Sequence, residues 1–265
     1  MAQSSGKKKY TSHPTWGYSG SVLIEGDLAI LSPGKKSGGL LALNKKNGEE
    51  IWKAPSSGSP AGYATPYPFT LNKKRYVVGF LGKRVIIVEA KTGREVWSLP
   101  WNTSYDVNAA SPIFFDGHLF LTSGYQHGSS LFRMEAISEG KLKGHKIWEN
   151  KAILNKFQSP VLHQGHLYTS DQKGMRCLDF YKGKQLWKIK GQRHGTLLIA
   201  NDHIIFLSEK GELQFAKVSP IEYKPIYKKS FFKSRCWTVP VLHNGKLYIR
   251  DLKTVKCINL NPSSS

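Results

Sequence analysis

Eight residues have side chains suited to ligand recognition and a spacing that repeats: Tyr18, Tyr63, Asn108, Phe157, Arg193, His194, Arg235 and Trp237. Tyr18, Tyr63, Ala109, Phe157, His194 and Trp237 share one register of an internal repeat, and all but Ala109 are aromatic or His. Asn108, Arg193 and Cys236 immediately precede that register, and Arg235 lies one residue further back. Aromatic faces stack on sugars and cations, while guanidinium groups clamp carboxylates or phosphates through paired hydrogen bonds. The same residues also suit plain packing, because inward positions of barrels and propellers are usually filled by side chains. Ligand platform and packed plug both remain open.

Other reactive residue types fall into structural patterns. Tyr125-Gln126-His127-Gly128-Ser129-Ser130 brings a hydroxyl near an imidazole but lacks the strand–turn–helix setting and third member of a hydrolase triad. It is expected to be a surface loop. His118, His163, His166 and His243 recur with the hairpins rather than at metal-ligand spacing. Cys177, Cys236 and Cys257 form neither a CxxC pair nor a disulfide framework. No glycine-rich phosphate loop is present, and the few carboxylates sit mostly at turns such as Asp116, Asp179 and Asp202. Catalytic residues and metal ligands are therefore not assigned.

The elements that must position these residues are short strands. Leu41-Ala42-Leu43-Asn44-Lys45-Lys46-Asn47-Gly48-Glu49-Glu50-Ile51-Trp52 alternates in polarity, turns at Gly and closes on Trp. The block returns at Ile87–Trp97 and Cys177–Trp187. Each copy follows a hairpin such as Ser159-Pro160-Val161-Leu162-His163-Gln164-Gly165-His166-Leu167-Tyr168. Intervals of 45, 51, 39 and 40 residues separate Trp52, Trp97, Trp148, Trp187 and Tyr227. Periods near 40 to 45 with about four strands each belong to β-propeller blades. The expected fold is all-β: a propeller of about six four-stranded blades, with Trp52, Trp97, Trp148, Trp187 and Tyr227 as anchors between them. The sixth copy stops before its outer strand, which residues 7 to 16 would have to supply if the ring closes. Gly48, Gly93 and Gly183 are expected to take positive φ in the turns.

Residues 1–15 are polar and basic and are expected to form a flexible tail ahead of the repeat domain at 16–261. No stretch is long and apolar enough to span a bilayer, and no secretory leader is visible. Lysine and arginine total 39 against 18 acidic residues, a formal charge of +21 that favours anionic partners. The lysines are dispersed, without a nucleic-acid-binding motif. A protein or acidic polysaccharide partner is expected, nucleic acid is disfavoured, and the chain is expected to be a monomer.

The hairpin at 159–168 and the block Cys177-Leu178-Asp179…Gly183-Lys184-Gln185-Leu186-Trp187 resemble pyrroloquinoline-quinone-like propeller repeats. The resemblance spans residues 16 to 260 and extends to the planctomycete-type members of that group. It implies relatives as different as quinoprotein alcohol dehydrogenases and a propeller lipoprotein of outer-membrane β-barrel assembly. It also implies export to the periplasm or cell envelope and about eight blades. Six copies without a leader fit a shortened or N-terminally incomplete member, and the compartment stays open. The leading expectation is a non-catalytic scaffold for a protein or acidic polymer, with no cofactor. The alternative is a quinoprotein dehydrogenase for alcohols or sugars, using pyrroloquinoline quinone with calcium.

Overall fold

The computed structural model describes residues 14–261, so the tail expected at 1–15 lies almost wholly outside the described residues. Six antiparallel sheets follow one another in chain order. The first holds β1 (Leu23–Glu25), β2 (Leu28–Leu31), β3 (Leu41–Asn44) and β4 (Glu50–Lys53). The second holds β5 (Tyr67–Leu71), β6 (Lys74–Phe80), β7 (Arg84–Glu89) and β8 (Glu95–Pro100). The third holds β9 (Ile113–Phe115), β10 (His118–Ser123), β11 (Gly128–Ala136) and β12 (Leu142–Asn150). The fourth holds β13 (Val161–His163), β14 (His166–Asp171), β15 (Gly174–Asp179) and β16 (Gln185–Ile189). The fifth holds β17 (Thr196–Ala200), β18 (His203–Leu207), β19 (Glu212–Lys217) and β20 (Pro225–Ser230). The sixth has three strands, β21 (Val241–His243), β22 (Lys246–Arg250) and β23 (Val255–Asn259). These are six blades of β-propeller type, the last without a fourth strand among the described residues. No described helix is long and apolar enough to cross a membrane.

The described residues divide into two compact units: those up to Val107 with Ala136–Leu142, and Asn108–Glu135 with those from Lys143 onward. In the first, Ile30, Ala42 and Trp52 of one sheet pack with Val77, Ile86 and Val88 of the next. In the second, three clusters join successive sheets. Phe120 and Leu131 meet Leu167 and Leu178; Tyr168, Cys177 and Trp187 meet Leu197, Ile204 and Phe206; Ile205, Leu207 and Leu213 meet Leu247 and Ile249. Within each unit, strand alternation directs side chains from one sheet to the next, so each blade completes its neighbour's core.

The repeated block is a turn that receives the preceding blade's tryptophan. Gly48, Gly93 and Gly183 adopt φ of 76°, 70° and 64°, and each donates its N–H to the carbonyl four residues back, on Asn44, Glu89 and Asp179. Trp52 Nε1 donates to Ala90 O at 3.1 Å, Trp148 Nε1 to Phe180 O at 3.0 Å and Trp187 Nε1 to Ser219 O at 2.8 Å. A Cβ on Gly93 would lie 2.6 Å from Trp52 Cδ2, and one on Gly183 would lie 2.6 Å from Trp148 Cδ2. The glycine is therefore required twice, for its left-handed φ and for the ring seated on it. Residue pairing shifts by one between Ala42/Leu43, Ile87/Val88, Cys177/Leu178 and Phe215/Ala216. This recurrent bulge sets Trp52, Trp97, Trp187 and Tyr227 opposite Ala42, Ile87, Cys177 and Phe215. Trp52 and Trp187 are buried, whereas Trp97 and Trp148 are half-buried. Tyr227 is 43% exposed and contacts Phe215 of its own sheet edge-on. Buried Tyr223, in the turn before β20, packs on Trp187 with ring centroids 5.8 Å apart.

Candidate functional site

The segments entering the first strands of the second unit's sheets carry most of the residues singled out from sequence. Asp171, fully buried at the end of β14, ties one of them, His194, to the connection that precedes β13. Its Oδ2 accepts from Leu154 N at 2.9 Å. Its Oδ1 accepts from Lys173 N at 2.7 Å, Gly174 N at 3.1 Å and Arg176 Nε at 3.3 Å. Its main-chain carbonyl accepts from His194 N at 3.1 Å. Asp251 repeats the device at the end of β22, accepting from Lys253 N, Thr254 N and the Ser234 hydroxyl. The hydroxyl, then the two backbone N–H groups, hold its carboxyl below the usual carboxylate range. These two residues were not among the candidates, although Tyr168-Thr169-Ser170-Asp171 and Tyr248-Ile249-Arg250-Asp251 occupy one repeat register.

Held this way, four predicted residues form one stack. Phe157 lies parallel to His194, with centroids 5.5 Å apart and 15° between planes. It also meets Trp237, with centroids 4.4 Å apart and 48° between planes. Arg235 then covers Trp237, with Cζ 3.8 Å from the ring centroid, and Trp237 Nε1 donates to Glu209 Oε1 at 2.7 Å. Gln158, almost fully buried, donates from Nε2 to His194 Nδ1 at 3.4 Å, while its Oε1 has no hydrogen-bond partner. Burial, with Lys156 and Arg193 nearby, lowers the pKa of the His194 imidazole, against the opposing pull of Glu209 and Asp171. His194 is therefore neutral near pH 7. Arg235 is exposed and keeps its guanidinium over the Trp237 ring, and a guanidinium so held is suited to a carboxylate or phosphate.

The remaining candidates separate. Asn108 is fully buried, and its Oδ1 accepts from the Ser123 hydroxyl at 2.8 Å. Arg193 is exposed. In the first unit, buried Tyr63 accepts the Trp16 N–H on its hydroxyl at 3.4 Å, and its ring lies 6.0 Å from that of Trp16. Tyr18, 49% exposed, hydrogen-bonds Pro33 O and lines a mainly apolar cavity of about 390 Å³ with Val22, Leu31 and Leu41. The Tyr125–Ser130 segment is structural: Ser129 is buried, with its hydroxyl 2.8 Å from Thr122 Oγ1 and 3.1 Å from Ile153 O.

Two grooves open beside the stack. One, of about 410 Å³, is lined by Gln126, Gln172, Lys173, Lys188, Lys190 and Arg193. The other, of about 700 Å³, shares Gly191 and Arg193 and adds Glu209, Lys210 and Glu212. A calcium-held quinone requires several convergent oxygen donors. Among the described residues no group of three or more His, Cys, Asp or Glu is assembled to hold a metal. Asp171 is already saturated by backbone N–H groups and Arg176. The described carboxylates are thus not assembled as such a calcium site.

The profile of a family described as outer membrane protein assembly factor BamB matches residues 2–189. No curated protein matches the chain significantly. Among solved structures, BamB from Moraxella catarrhalis aligns at a TM-score of 0.64 and 16% identity, over 89% of this chain and 70% of that one. The computationally designed Ika8 protein aligns at 0.62 and 12% identity, over 90% and 70%. Quinohemoprotein alcohol dehydrogenase from Comamonas testosteroni aligns at 0.62 and 12% identity, over 88% of this chain and 51% of that one. At such identities the likeness is one of fold.

Proposed function

The chain belongs to the family of outer membrane protein assembly factor BamB, and from that premise we propose that it is a non-catalytic scaffold that holds a partner protein in the cell envelope. The partner would be gripped through the loop end of the second unit. The observation that carries this reading is the His194–Phe157–Trp237–Arg235 stack, which locks its aromatic faces against one another and offers a pre-oriented cation. Such an arrangement suits binding, where rigidity limits the entropy lost on association. It contains no nucleophile–base pair, and its imidazole is engaged by Gln158. The quinoprotein reading draws on the shared fold of the dehydrogenase, but the described residues do not assemble its cofactor site.

The test places a photo-crosslinking amino acid at Arg193, with Lys182 at the opposite turns of the same sheets as control. Discrete adducts with envelope assembly proteins at Arg193 and not at Lys182 are expected. Dye-linked alcohol oxidation after reconstitution with pyrroloquinoline quinone and calcium would overturn the scaffold reading.

A further inference from the structure

The groove beside the stack has a composition the scaffold reading does not use. Lys173, Lys188, Lys190 and Arg193 all line it and are exposed, and none has a carboxylate partner among the described residues. Its other polar side chains are the amides of Gln126 and Gln172. Lys188 and Lys190 flank Ile189 at the end of β16, the outer strand of its sheet. Alternation puts them on one side of the chain, roughly 6.6 to 6.8 Å apart along an extended strand. The opposite turns of these sheets carry both signs, Asp116, Asp179 and Asp202 together with Lys182 and Lys184, whereas every charged side chain lining the groove is cationic.

We propose that this groove binds an extended acidic segment of the partner protein, its carboxylates alternating along the chain. The reasoning is one of elimination. Single-stranded nucleic acid is gripped by aromatic faces on which bases stack, and sugars use the same faces. Here the rings of Phe157 and Trp237 are engaged with His194, with each other and with Arg235, and no aromatic side chain lines the groove. Three of the four groove cations are lysines, which act as point charges and set no paired-donor geometry on the anion they meet. Charge at a residue-alternating spacing and amides able to pair with a main chain remain, and these match an acidic peptide. Lysine on an outer strand also deters stray pairing. That role explains Lys188 alone, but not the convergence of Lys173, Arg193 and two glutamines on the same groove.

This inference rests on the scaffold reading, and the test separates the two. Binding of a fluorescent peptide of alternating Glu and Ser is measured on the whole protein by anisotropy. A heparin-type polysaccharide and a single-stranded oligonucleotide serve as competitors, and melting curves check the fold of each variant. The peptide is expected to bind more tightly than either competitor and to weaken as salt rises. K188Q/K190Q is expected to bind roughly tenfold more weakly, as the loss of two exposed ion pairs allows. K182Q/K184Q is expected to bind as the parent does. Absent peptide binding at low salt, unchanged affinity in K188Q/K190Q, or tighter binding of either competitor through the same lysines overturns the assignment. If crosslinks at Arg193 persist in that event, the scaffold stands and only the groove's ligand falls.

Discussion

Replacing Gly93 by alanine tests the seat that holds neighbouring blades together. Gly93 has φ of 70°, and a Cβ there would lie 2.6 Å from Trp52 Cδ2 and 2.9 Å from Cγ. The left-handed backbone alone costs an alanine about 1–2 kcal/mol. Crowding the tryptophan should add about 1–3 kcal/mol, because a packed interface cannot accept an extra methyl without moving the ring. Gly58 has φ of 78°, and a Cβ there would meet nothing within 4 Å, so its replacement isolates the first cost. Trp52→Ala should cost about 3–5 kcal/mol as a large aromatic truncation. In Gly93→Ala/Trp52→Ala the crowding disappears, so the double variant should fall short of the summed losses by about 1–3 kcal/mol. Urea unfolding of Gly58→Ala, Gly93→Ala, Trp52→Ala and the double variant gives each value directly. Additivity within about 0.5 kcal/mol would refute the steric argument, as would a Gly93→Ala loss no larger than that of Gly58→Ala.

Two further outcomes follow from burial. Cys177 and Cys236 are buried, and burial pushes their thiols up to about 12 and about 11 respectively. Exposed Cys257 should therefore react with iodoacetamide in the native protein while the other two react only on unfolding, as read by peptide mass mapping. His194 has a folded pKa below its ordinary value, so the folded state resists protonation more than the unfolded chain does. Its contribution is present above the unfolded value of about 6.5 and is lost as pH falls through that value toward the folded one. The NMR titration of His194 should show a depressed midpoint, and His194→Gln should flatten the stability profile below pH of about 6.5; a midpoint above that value would contradict the assigned environment.

The block ending in tryptophan was legible because repetition reports on packing: a turn glycine and an aromatic return wherever one sheet must seat on the next. The loss of Trp at Tyr227 was also visible, but that Tyr223 packs on Trp187 in the turn that receives it is something no spacing announces. Asp171 and Asp251 were readable from their shared register, yet a carboxylate ending a strand resembles any turn residue until its acceptor geometry is known.

Sequence by itself determined the all-β class, the six blades, the turn type and the positive charge, because each is a local property repeated along the chain. Only the tertiary structure decided which of the register-equivalent residues meet. Phe157, His194 and Trp237 belong to three connections that sequence separates by 37 and 43 residues, and they touch because the connections entering three successive sheets converge at one place. The same stacking buries Asn108, exposes Arg193 and gathers lysines from a turn and a strand end into one groove. Those outcomes depend on contacts between blades, and periodicity along the chain specifies only the blades themselves.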